Sequence, residues 1–126
     1  MRLLDSNIVI AAAVPEAEGL RADLSTEPCV ISIVTRIEVL GFHRLSAEEE
    51  NGLREFLARA ETIALDDVVA ARSIALRQQR RMGLGDAIIA ATALVHGMAL
   101  VTRNVDDFKH IAGLELKNPF KTKEDA

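Results

Sequence analysis

Four acids and one amide carry the side chains in this sequence best suited to hard-cation chemistry: Asp5, Glu38, Asp86 and Asp107, with Asn104 beside the last. Asp5 ends the apolar stretch Met1–Leu4, and Glu38 lies in the segment after Cys29-Val30-Ile31. Asp86 opens an Ala-rich run, and Asn104 and Asp107 follow the apolar stretch Met98–Thr102. Carboxylates brought together repel one another and raise each other's pKa unless a cation compensates. Mg²⁺ or Mn²⁺ is the natural counter-charge, because such ions take oxygen ligands, keep several waters and bridge to phosphate. Bound there, the ion would activate a water for in-line attack on phosphorus and stabilise the leaving oxygen. Spacing alone does not single these residues out, since the chain carries 19 Asp and Glu. The fold must bring them together.

The elements that would do so alternate along the chain. Met1–Leu4 reads as a strand, and Ile8–Val14 as a helix start that Pro15 interrupts. Cys29-Val30-Ile31 is a second strand, with Ser32 placed to cap a helix reaching about Leu45. Ser46 and Glu49 have capping-box spacing, and Leu53, Phe56, Leu57 and Ala60 behind them form one apolar stripe. Thr62–Leu65 is a third strand, followed by a helix capped by Asp66 and running to about Arg81. Gly83–Gly85 reads as a turn, and Asp86–His96 as a helix apolar nearly all round, closed by Gly97. Such a helix belongs in the interior. Met98–Thr102 is a fourth strand and Glu115–Lys117 a weak fifth. Alternation of this kind predicts an α/β fold, a central parallel sheet of four to five strands flanked by helices. Sites in such folds form outside the carboxyl ends of the strands, where the acids stand.

Composition narrows the function. A chain of 126 residues with 49% hydrophobic content fits a single domain with a real core. Aromatics make up only 3%, which argues against nucleic-acid binding on stacking platforms. The formal charge of −4 argues against a protein that coats nucleic acid without specificity, but not against an enzyme that gathers acids in one pocket. The lone Cys29 excludes an internal disulfide and is expected to be a small buried residue, while His43, His96 and His110 share no metal-ligand spacing. Neither a leader nor a long apolar run is evident, so the expected compartment is the cytoplasm, with no membrane partner.

Four blocks carry a family resemblance. Asp5-Ser6-Asn7-Ile8 after an apolar strand resembles the D-[TS]-N opening of PIN domains. The stretch from Ile31 through Ser32, Thr35 and Glu38 is similar to their S-x-x-T-x-x-E block, and Gly85-Asp86-Ala87 to the Asp that opens an Ala-rich helix. Thr102-Arg103-Asn104-Val105-Asp106-Asp107-Phe108 resembles their T-x-N-x-x-D-F block. The blocks occur in the family's order. The resemblance implies one PIN-like nuclease domain over residues 1–120, a polar tail over 121–126, and an Mg²⁺- or Mn²⁺-dependent endoribonuclease. At this length it implies a VapC-like toxin, commonly a homodimer, whose site is blocked by a small VapB-like antitoxin. Asp5, Glu38, Asp86 and Asp107 match the acidic quartet, with Asp5 and Asp86 holding the metal most directly and Glu38 and Asp107 orienting water. Asn104 stands where some members place the fourth acid. Ser6, Asn7, Thr35 and Thr102 would support the acids by hydrogen bonding, and Arg103 would touch RNA phosphate.

Each assignment has a plainer competitor. Asp5 is also a strand terminator, Asp86 a helix cap, Glu38 a solvated helix acid and Asp107 a turn residue. Asp106 is expected to face solvent, and Arg77, Arg80 and Arg81 to line a solvated helix face. The rival functions are a catalytically silent module that binds RNA or protein, a nuclease for structured DNA, and a phosphoacceptor domain. The last lacks its D-x-D and partner-lysine pattern, and the short chain lacks room for DNA-gripping elements.

Overall fold

The computed structural model describes residues 1–120; the tail expected over 121–126 lies outside them. Five strands form one sheet, β1 (Arg2–Leu4), β2 (Cys29–Ser32), β3 (Glu61–Ile63), β4 (Ala99–Val101) and β5 (Leu116–Lys117). All neighbours are parallel, in the order β3-β2-β1-β4-β5. The chain steps outward from β1 to β2 and β3, then returns to β1's other side with β4. The crevice at the carboxyl end of β1, between β2 and β4, is therefore the point where strand order reverses.

Strand periodicity divides the core in two. Leu3, Val30 and Leu100 point to one face, and their successors Leu4, Ile31 and Val101 to the other. The first face packs on α5 (Asp67–Gln79), α6 (Leu84–Val95) and α7 (Val105–Phe108). The second packs on α1 (Ser6–Ala12), α2 (Glu18–Leu24), α3 (Ile33–Leu40) and α4 (Ala47–Leu57). In α6 every residue from Ala87 to Ala93 is buried, as its all-round apolarity predicts, and Gly97 closes it with φ 65°. The Ser46–Glu49 capping box forms in full at the start of α4.

Several boundaries differ from the sequence reading. Helix α1 begins at Ser6 because Asp5 itself is the N-cap. Helix α2 was not expected: it buries only Leu24, so it has no apolar stripe, and Arg21 anchors it by donating to the carbonyls of Ala12, Val14 and Pro15. Helix α3 stops at Leu40 rather than near Leu45, capped by Gly41. Strand β3 starts and ends earlier than Thr62–Leu65, and α5 ends at Gln79 rather than Arg81. Gly83–Gly85 is not a turn. Gly83 caps α6, Leu84 begins it, and Asp86 lies inside its first turn. Cys29 is half-buried rather than buried.

Candidate active site

Asp5 is placed by two elements at once. Its backbone N–H donates to Val101 O at 2.9 Å, fixing it at the β1–β4 seam, and its extended conformation makes it the N-cap of α1. The residue is only 5% exposed. Ser6 N donates to Oδ1 at 2.8 Å, while Thr102 Oγ1 donates to Oδ2 at 2.8 Å from the end of β4. Asn7 Nδ2 approaches the same oxygen at 3.4 Å. Burial raises the Asp5 pKa, opposed by the Thr102 and Ser6 hydrogen bonds and reinforced by the negative charges of Glu38 and Asp107.

The other acids converge from separate elements. Thr35 is fully buried on α3, and Glu38 stands three residues on, with Ser6 Oγ donating to its Oε1 at 2.6 Å and reaching Thr35 Oγ1 at 3.4 Å. Asp86 is half-buried in the first turn of α6, where the helix dipole favours its ionised form. Burial nevertheless raises its pKa, as do the charges of Asp5, Asp107 and Glu38. Asp107 is exposed on α7, near enough to act on both Asp5 and Asp86. The four carboxylates share one electrostatic neighbourhood.

Thr102 ties the β4 side together. Its hydroxyl donates to Asp5 and accepts from Asn104 N at 3.0 Å, and it is fully buried. Asn104 is the N-cap of α7 and its carbonyl accepts from Asp107 N at 3.0 Å, so Asn104 shapes the turn while Asp107 carries the charge. Arg103 N donates to Asn7 Oδ1 at 3.3 Å, and the exposed guanidinium lies over the Phe120 ring. Asp106 faces solvent and pairs with Lys109 at 3.1 Å.

Gly85 has a role in the site that the sequence pattern did not assign to it. A Cβ there would stand 2.8 Å from Glu38 Oε2, so its absence lets α6 and the Glu38 carboxylate meet. The signal was a glycine immediately before an acid at a helix start. Gly85→Ala should displace the flexible Glu38 carboxylate rather than unfold the chain. The expected result is an unchanged circular-dichroism spectrum, with about a tenfold loss of whatever activity the acids carry together.

A family model described as the PIN domain matches residues 2–114. The chain belongs to the PIN-domain family. Ribonuclease VapC10 of Mycobacterium tuberculosis is 33% identical over 128 aligned residues, covering 95% of this chain and 93% of that protein. A toxin–antitoxin complex from Klebsiella pneumoniae contains a chain 33% identical to this one, with TM-score 0.78, covering 97% of this chain and all of its counterpart. DNA-bound VapBC from Salmonella typhimurium is 26% identical with TM-score 0.77, covering 92% of this chain and 96% of that one.

The donor set of this PIN domain suits a hard dication. Every group offered is a carboxylate, hydroxyl or amide oxygen, and two carboxylates are raised by burial and mutual repulsion, which a cation would relieve. Among the described residues no three acid, imidazole or thiol groups form a tight ligand set by themselves.

The raised pKa values fix a pH dependence. Folding penalises the ionised form of Asp86 relative to the unfolded chain, so its stabilising contribution is complete below the unfolded pKa of 3.8 and is lost as pH rises through its folded value. Asp86→Asn should therefore melt higher than wild type in chelator near neutral pH, and the gap should close below about pH 4. Differential scanning calorimetry across that window checks the sign.

Proposed function

We propose that this PIN domain is an Mg²⁺- or Mn²⁺-dependent endoribonuclease and the toxin of a VapBC-like pair. The observation that carries the reading is the gathering of Asp5, Glu38, Asp86 and Asp107 at the sheet's reversal point, with Asp5 and Asp86 raised by burial and by like charge. Similarity along nearly its full length to a protein named a ribonuclease supports the RNA substrate.

Asp5 and Asp86 would hold the ion, because they are the two acids withdrawn from solvent. When bound, the dication supplies the positive charge that activates water for attack at phosphorus and stabilises the departing oxygen. Glu38 and Asp107, both exposed, would orient water, and one of them takes its proton as the new P–O bond forms. Ser6 steadies Glu38, Thr102 and Asn7 steady Asp5, and Thr35 backs Ser6. Arg103, rooted one residue from the Asp5 anchor, would offset the negative charge of an approaching RNA strand.

The antitoxin reading rests on the similar solved complexes and on a groove of about 740 Å³ between α1, α3 and α4. Ile10, Val14, Phe42 and Phe56 line it and Glu38 stands at its edge, so an apolar peptide seated there would reach the site. On the opposite face Leu65, Val68, Ile74 and Leu84 are exposed around α5 and α6, the surface we assign to a second copy of the chain. No helix among the described residues is long and apolar enough to cross a membrane; a cytoplasmic location accords with a toxin that meets cellular RNA.

Sequencing RNA 5′ ends after expression of wild type and of Asp86→Asn tests the activity. The expected result is a discrete set of new ends with wild type alone. Identical ends with both proteins would overturn it.

A further inference from the structure

We infer that Phe120 is a positioning residue that holds the Arg103 guanidinium off the acids and presents it to an RNA phosphate beside the scissile one. The inference rests on the ribonuclease reading above. Arg103 leaves the chain directly after Thr102, the residue that anchors Asp5, and its amide is held by Asn7. The Asp5 carboxylate therefore stands near its root, with Asp107 four residues along the chain, and an unrestrained guanidinium would fold back onto them. Such a pair would cancel the charge the site needs for a cation and would hide the donors that phosphate needs.

The structure shows another arrangement. The guanidinium carbon lies 4.0 Å from the centroid of the Phe120 ring. Among the described residues Arg103 forms no ion pair with an acid, so the ring is the partner that the structure gives its guanidinium. The backbone that carries the ring is tied to this rim. Thr102 N donates to Lys117 O, which ties the end of β5 to the end of β4, and Phe120 N donates to Asn118 Oδ1 at 2.9 Å. A guanidinium over a ring face gives up no N–H donor to it, so those donors remain free for a phosphate. Phe120 stands 38% exposed, outside both core clusters, with its ring against Arg103. Core packing does not require it there.

The test compares wild type, Phe120→Leu, Phe120→Trp, Arg103→Gln and Phe120→Leu/Arg103→Gln on one short single-stranded RNA with Mn²⁺. Phe120→Leu keeps the apolar bulk and loses the aromatic face. It should raise KM about five- to tenfold with kcat nearly unchanged, and Phe120→Trp should restore KM. The double variant should be no worse than Arg103→Gln, because the ring acts through the arginine. RNA affinity of the same substitutions in an Asp86→Asn background, by fluorescence anisotropy, should fall in the same order. An unchanged KM in Phe120→Leu, or independent multiplication of the two effects, would overturn the inference while cleavage by wild type leaves the ribonuclease reading standing. A substitution that weakens only inhibition by an antitoxin peptide also overturns it. Absence of cleavage by wild type with either metal sinks the ribonuclease reading instead, and anisotropy then decides the Phe120 contact alone.

Discussion

Asp5→Asn is expected to lower metal-dependent RNA cleavage by about a thousandfold or more while leaving the fold intact. Asparagine keeps an Oδ1 that can accept from Ser6 N and so preserves the cap of α1. It replaces Oδ2, which now accepts from Thr102 and from Asn7, with an amide that donates. More importantly it deletes the most buried of the four charges, the one best shielded from water and therefore most strongly coupled to a bound cation. Single-turnover cleavage separates this from a binding defect: the chemical step collapses and RNA affinity does not. Full cleavage by a folded Asp5→Asn protein would remove the metal from the mechanism as described.

The second large effect is on stability. Thr102→Val is nearly isosteric, yet it removes a fully buried hydroxyl that donates to Asp5 and accepts from Asn104 N. The buried carboxylate loses its strongest hydrogen bond and a backbone N–H loses its acceptor. Leaving such groups unpaired costs about 2–4 kcal/mol, a fall in melting temperature of about 10 °C for a domain of this size. Saturating Mn²⁺ should recover part of the loss, because the cation stabilises the carboxylate that the hydroxyl no longer serves. Thr102→Ser keeps both bonds and should melt within a few degrees of wild type. A Thr102→Val protein as stable as wild type would show that this hydroxyl does not hold the site together.

The contrast between what the sequence disclosed and what it hid has physical causes. Asp5 after an apolar strand and the all-round apolar α6 were legible because strand ends and buried helices impose local patterns. Asp86 was legible as an acid at a helix start but not by position, since Gly83 and Gly85 each suit a cap and only the extended backbone at Gly83 distinguishes them. Strand order was not legible: alternation is the same whichever side of β1 receives β4. Helix α2 was hidden because a side chain, Arg21, rather than an apolar stripe anchors it. Phe120 was missed for a similar reason, as its partner Arg103 lies on a different strand connection and the two meet only because β5 pairs with β4. The Asn104–Asp107 pair divides by backbone geometry, with the amide at the cap and the acid one turn on.

The most direct measurement is the anomalous scattering of Mn²⁺ in crystals of the wild-type protein. One strong manganese peak is expected within bonding reach of carboxylate oxygens of both Asp5 and Asp86, lost in crystals of Asp86→Asn. A peak elsewhere, or none from a protein that still cuts RNA in the presence of chelator, would contradict it.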